Sequence, residues 1–404
     1  MEVLNLLELF ALVIVSGVLF TKLSKMLKIP DVVLFILAGI LLGPHVLKLV
    51  NLSNHPLGND LILTFGAAYI LYDGGREIEL KVLNKVKWSL LLVVTIGVVV
   101  SAYITAFFAA RIFKIDFIYA FLLGAVIAST DPSVLVPLFK KMNISSKLKQ
   151  FIISESAFND AAGAIATFAT LGIITGGSFS IGSSVINLLV TSFGGIAIGA
   201  IIGSLASLLV THDKYGYFWE HPSEIGIATV ASAYVIASRL NVSGFMAVFV
   251  VGIICGNKYL FNLKVHEDHY ITQTRFKEVL TLLLRMMIFI LLGTSIDFAS
   301  VAQFWKESLL VVAVLIFIAR PLSVLVSVMV DRQAKWSWKE IIYIMWIRET
   351  GVIPAALAGM IVSMKVPHAN IISSVTFLTI LVTLSVQAST AQWLAKKLKL
   401  EETP

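Results

Sequence analysis

Residues Phe151 to Thr170 read FIISESAFNDAAGAIATFAT. The stretch lies in an apolar run long enough for a membrane helix, yet Ser154, Glu155, Ser156, Asn159 and Asp160 fall within two of its turns. Ionisable groups at membrane depth are costly and usually face a water-filled path, where they mark an ion or proton route. Ser156 and Asp160, four residues apart, share one helix face, and Glu155 and Asn159 share the neighbouring one. Glu155 and Asp160 stand about 140° apart around the axis at 3.6 residues per turn. One acid can therefore address a ligand while the other addresses a structural partner. Asp160 is assigned the first role and Glu155 the second.

The rest of the chain supports a membrane setting. Of 404 residues, 58% are hydrophobic and only 14% charged, with a mean hydropathy of +0.92. Soluble domains carry about 25% charged residues. Repeated apolar runs of about 20 residues imply an all-α integral membrane protein. The single cysteine, Cys255, leaves no disulfide framework. The net charge of +7 is expected on the cytoplasmic loops of such a chain and implies no nucleic-acid partner. The first apolar run starts near Leu4 without a basic segment before it, so a spanning stretch is expected there and not a removable signal peptide.

About thirteen spans are expected, near residues 4–23, 31–50, 60–73, 88–110, 117–139, 148–175, 183–210, 223–239, 243–257, 277–296, 307–330, 340–364 and 368–394. The third and ninth are short for a full crossing. Most of the 31 Lys and Arg residues fall in the loops after odd-numbered spans and in the C-terminal tail. That asymmetry predicts the N-terminus outside and the C-terminus in the cytoplasm of a plasma-membrane protein. The whole of 1–404 is read as one transporter domain: a first repeat of six helices over 1–176, a linking seventh helix over 177–215, and a second repeat of six over 216–404.

If the repeats are inverted, span 5 corresponds to span 12 and span 6 to span 13. Transporters of this build place their sites at discontinuous helices in matching positions of the two halves. Span 5 carries Asp131-Pro132, with Pro137 beyond; span 12 carries Gly351 and Pro354. Proline removes an amide donor and clashes with the preceding turn. The carbonyls freed at such breaks can hold a cation. Asp131 and Asp160, with Thr130, Ser156 and Asn159, then offer hard oxygen ligands suited to a small cation and unsuited to zinc or copper. A carboxylate that takes either a proton or a cation is by itself an exchange device.

Thr130-Asp131-Pro132, the Glu155-Ser156-x-x-Asn159-Asp160 pattern and Gly351-x-x-Pro354 together resemble the cation/proton antiporter superfamily, and within it the NhaP-like sodium/proton antiporter branch. The resemblance covers essentially the whole chain in span count and motif order. It implies that Asp160 carries the ion and the proton, that Asp131, Thr130 and Ser156 complete the site, and that Asn159 replaces a second aspartate of the electrogenic branch. It implies homodimers, with spans 5, 6, 12 and 13 in a mobile core. It also implies that Glu155 pairs with an intramembrane arginine. Arg320, in FIARPLSV, and Arg348 are both available, and the surroundings of Arg320 are closer to the family's. Where the branch has an arginine immediately before the glycine of span 12, this chain has Thr350. Glu349 is expected to pair with the remaining arginine or to offset a half-helix dipole.

The resulting expectation is a secondary transporter, not an enzyme, without cofactor. It exchanges Na+, and also Li+, for protons by alternating access, one for one. Asn159 cannot titrate, Glu155 is ion-paired, and Asp131, facing half-helix amides, is expected to stay ionised. A K+/H+ antiporter of the same build is the alternative. A channel fits less well, because single buried acids beside broken helices suit alternating access better than a symmetric pore. Tyr72-Asp73 resembles half of an intramembrane aspartyl protease signature, but the later half is absent. Asp73 is read either as lining the cytoplasmic mouth of the ion path or as a snorkelling helix-end acid. Arg285 and Asp297 are read as structural, and the histidines as solvated. Gly39 with Gly43, and Gly195 with Gly199, are read as close helix contacts.

Overall fold

The computed structural model describes residues 2–27, 30–44, 46–50, 56–130, 139, 142–176, 181–211, 216–261, 263, 267–296 and 298–401. Asp131, Pro132, Pro137 and Asp297 lie outside the described residues, as do His45, His55, His212 and His266. Every named element among the described residues is helical. The helices are α1 (Glu2–Leu27), α2 (Asp31–Leu42), α3 (Pro56–Arg76), α4 (Lys87–Phe113), α5 (Phe117–Ala128), α6 (Ser146–Ile174), α7 (Ile181–Leu209), α8 (Pro222–Arg239), α9 (Gly244–Gly256), α10 (Glu267–Thr294), α11 (Phe298–Val328), α12 (Trp338–Trp346), α13 (Val352–Ser363) and α14 (Ala369–Lys397). Six of them contain stretches long and apolar enough to cross a membrane: α1, α4, α6, α7, α11 and α14. Lipid offers backbone groups no hydrogen bonds, so apolar runs of this length must satisfy their own as helix.

Several boundaries differ from the sequence expectation, each for a local reason. The second span was expected to reach residue 50, but α2 ends at Leu42. Gly43 is extended (φ −66°, ψ 176°) because it precedes Pro44, which disfavours a helical residue before it. The third span is longer than expected, 21 residues, because Asp73 finds partners inside the fold and the helix runs past it. The fifth helix ends at Ala128, where Ser129 turns extended; residues 131–138 of the span expected over 117–139 lie outside the described residues. The twelfth span is broken between Trp346 and Val352. Pro354 is not the breaker: it sits in the first turn of α13, where amides have no intrahelical partner and proline costs little.

Three helices widen locally into π-helix: α4 at Val93–Gly97, α11 at Leu315–Ala319 and α14 at Thr383–Ala388. The segment in α11 runs straight into Arg320-Pro321. A proline there lacks the amide for the regular ladder, and the wider turn accommodates its ring without ending the helix.

Packing sorts the helices. α2 lies against α10, α3 and α7 against α9, and α1 against α2. Elsewhere α4 packs on α5, α5 on α6, α11 on α4 and α14, and α13 on α14. Close backbone approach carries the first set. A side chain on Gly39 would strike the carbonyl of Ile290 and Cα of Gly293, one on Gly199 the carbonyl of Ala247 in α9, and one on Gly195 the carbonyl of Ser243, which caps α9. These glycines are close helix contacts. Arg285 of α10 pairs with Asp31 of α2 at 2.6 Å, a structural bridge.

Candidate functional site

The hydroxyl of Ser145 accepts from the amide of Leu148 at 3.3 Å and caps the start of α6. Two to four turns on, Ser154, Glu155, Ser156, Asn159 and Asp160 are all buried, none more than 5% exposed. Their spacing spreads them over adjoining faces, and each face meets a different neighbour.

The Asp160 face meets the broken end of α5. Beyond Ala128 the chain leaves the helix, with Ser129 extended (φ −67°, ψ 145°). The Ser129 hydroxyl donates to Asp160 Oδ1. Thr130 Oγ1 accepts from Asn159 Nδ2 at 3.4 Å, and Asn159 Nδ2 also donates to Glu155 Oε1 at 3.3 Å. That leaves Asn159 Oδ1 buried without a hydrogen-bond partner among the described residues. Asp160, Asn159 and Thr130 are thus brought together at one helix break, and Ser156 lies one turn from Asp160 on the same face. Asp131 follows immediately in the chain, outside the described residues.

The Glu155 face meets Arg320. Two guanidinium nitrogens reach the two carboxylate oxygens of Glu155, one of them at 3.0 Å. Arg320 also donates to the carbonyls of Ile344 and Ile347, at 2.7 and 3.2 Å. These carbonyls belong to the C-terminal end of α12, and the last carbonyls of a helix have no intrahelical amide partner. Arg348 behaves in parallel. Its guanidinium donates to the carbonyls of Ile127 and Ala128 at 2.9 and 3.1 Å, the freed C-terminal end of α5. So the two arginines each hold a broken helix end, where a cation offsets the partial negative charge of the carbonyls, and Arg320 is the one that pairs with Glu155. Glu349 is wholly buried in the break. The amide of Thr350 donates to Thr383 Oγ1 at 3.1 Å, tying the break to α14.

Asp73 lies apart from this group. Its carboxylate meets Lys277 Nζ at 2.8 Å and accepts from the Thr281 hydroxyl at 2.8 Å. Lys277 also meets Glu77 at 2.8 Å. Asp73 therefore belongs to a latch between α3 and α10. Two residues absent from the sequence expectation lie at this candidate site. Ser129 holds Asp160, and its only signal is adjacency to Thr130. Gly163 lies one turn beyond Asp160; a side chain there would come within 3.0 Å of Ser129 Cβ, so its lack of one lets the α5 break approach.

Residues 11–397 match the family described as sodium/hydrogen exchanger, transmembrane. The chain is 28% identical to Na(+)/H(+) antiporter 1 of Methanocaldococcus jannaschii, covering 100% of this chain and 98% of that protein. It is 27% identical to K(+)/H(+) antiporter NhaP of Alkalimonas amylolytica, covering 99% of this chain and 68% of that one. The structure of the sodium proton antiporter MjNhaP1 from Methanocaldococcus jannaschii at pH 8 superposes with a TM-score of 0.86 at 27% identity, covering 100% of both chains.

Proposed function

The chain belongs to the sodium/hydrogen exchanger family, and from that premise we propose that it exchanges a monovalent cation, sodium foremost and lithium with it, for a proton by alternating access. It is a multi-pass membrane protein. One observation carries the reading. Asp160 is buried halfway along α6, held by Ser129 at the broken end of α5, next in the chain to Asn159, whose Oδ1 has no hydrogen-bond partner among the described residues. A buried acid with neutral oxygens around it can exchange a proton for a cation. Asp131, Thr130, Ser156 and Asn159 are proposed to complete the cation's oxygen shell.

The cycle is read as electroneutral. Glu155 is committed to Arg320, Asn159 does not titrate, and Asp160 alone alternates. Thirteen spans in two inverted six-helix repeats, with repeat 1–176, linker 177–215 and repeat 216–404, form the proposed architecture. The π segments of α4 and α11, seven spans apart, and the breaks after α5 and α12, also seven apart, support it. Homodimers, a cytoplasmic C-terminus and a role in pH homeostasis complete the reading.

Proteoliposomes test it. Sodium or lithium added outside acid-loaded vesicles should collapse the proton gradient, and Asp160→Asn should abolish this. Normal exchange by that variant would remove the site assignment. An imposed potassium–valinomycin potential should not drive uptake without a pH gradient; voltage-driven uptake would show that a second proton moves, with Asp131 as its carrier. A second reading, potassium in place of sodium, is favoured by the relatives named as K(+)/H(+) antiporters. A competition series across sodium, lithium and potassium separates the two.

A further inference from the structure

A groove of about 600 Å³ opens between the start of α4, the short helix Leu80–Leu83 before it, the middle of α6 and the turn that follows α9. Its floor is apolar, made of Leu83, Leu90, Leu91, Val94, Phe158 and Leu260. Its rim carries Lys81 and Lys87 with neutral Asn84 between them, and no acid lines it among the described residues. Both lysines are exposed.

Two aromatic side chains fix the depth of that rim. Trp88, 52% exposed, has Lys87 Nζ 5.9 Å from its ring centre; Tyr259, 46% exposed, has Lys81 Nζ 5.1 Å from its own. Trp and Tyr gather at headgroup level, and lysines lay their stems along apolar surface to keep the ammonium there. The rim therefore sits among headgroups and the floor among acyl chains. Two unopposed lysines repel a cation, so the groove is unsuited to the ion path. What fits is an amphiphile with an anionic head and an apolar tail. We infer that this groove binds one anionic phospholipid, its phosphate between Lys81 and Lys87 and one acyl chain along Leu90, Val94 and Phe158. Basic residues at the bilayer surface attract anionic lipid; the concave floor turns that attraction into a defined seat. Because Phe158 directly precedes Asn159, the lipid tail rests on the turn of α6 that carries Asn159 and Asp160. The seat does not depend on which ion the chain transports.

The test uses purified full-length protein in detergent, titrated with phosphatidylglycerol or with phosphatidylcholine of the same chains. Bound lipid is counted by native mass spectrometry and the melting temperature is followed in parallel. Phosphatidylglycerol should be retained at least tenfold better and should raise the melting temperature, whereas phosphatidylcholine should not. Lys81→Gln with Lys87→Gln should reduce phosphatidylglycerol to the phosphatidylcholine level; Lys22→Gln with Lys25→Gln should leave it unchanged. Val94→Trp, which fills the floor, should weaken binding with both lysines intact. Equal retention of the two lipids, or undiminished phosphatidylglycerol binding by the Lys81 and Lys87 double variant, overturns the inference. Glycerol 3-phosphate should leave the melting temperature unmoved; an equal rise with it assigns the lysines to a soluble phosphate and overturns the lipid.

Discussion

Arg320 grips Glu155 with two nitrogens while donating to the carbonyls that end α12. One side chain thus joins α11, α6 and the break between α12 and α13, with both members of the pair under 5% exposed. Removing one member of a buried pair leaves the other charge uncompensated, which costs about 3–5 kcal/mol. Glu155→Gln should lower the melting temperature more than Asn159→Ala. In a double-mutant cycle, Glu155→Gln with Arg320→Gln should couple strongly, and Glu155→Gln with Arg348→Gln should be close to additive. Additivity in the first cycle would contradict the geometry.

Arg348 should act on α5 instead. Arg348→Gln strips two buried carbonyls, Ile127 and Ala128, of a charged donor, and hydrogen bonds to charged groups are worth about 1.5–3 kcal/mol. Ser129 and Thr130 follow those carbonyls directly, so the variant should also transport poorly at saturating cation. Unchanged transport and stability would show that the α5 end needs no cation.

Ser129 and Gly163 should act together. Ser129→Ala removes the hydroxyl on Asp160 and should weaken apparent cation affinity severalfold with a small change in melting temperature. Gly163→Val, by pushing Ser129 away from α6, should reproduce that loss. Measured cation affinities at the wild-type value in both would place Ser129 outside the site.

Asp331, in the loop after α11, gives a pH signature. Burial pushes its carboxyl up. Hydrogen bonds from the Ser89 hydroxyl and amide and from the amides of Ala334 and Gln333 outweigh that and hold it below the ordinary carboxylate value. A depressed carboxyl contributes stability that is present above the unfolded value of about 3.9 and is lost as pH falls through the folded one. Asp331→Ala should therefore cost about 1.5–3 kcal/mol at neutral pH. The gap between variant and wild type should close in acid. Thermal melts between pH 3 and 7 check this; a gap that widens on acidification would contradict the sign.

How much was legible in the sequence depends on the range of the interaction. The helical membrane architecture follows from apolar runs, because a backbone in lipid can satisfy itself only as a helix or a closed barrel, and unbroken apolar runs of about 20 residues suit the helix. The separation of Glu155 from Asp160 follows from 3.6 residues per turn, and the unwinding at span 12 was signalled by Gly351. These are local rules, so the order of residues alone determined them. Tertiary structure decided the rest. Arg320 and Arg348 are both arginines in apolar runs, and only the packing of α11 on α4 and α14 puts the first against Glu155 and leaves the second to the end of α5. Ser129 looked like any residue before Thr130 until α5 ended at Ala128 and Gly163 admitted it to Asp160. Which buried charge meets which is set by contacts between helices far apart in the chain, and no short-range spacing encodes those.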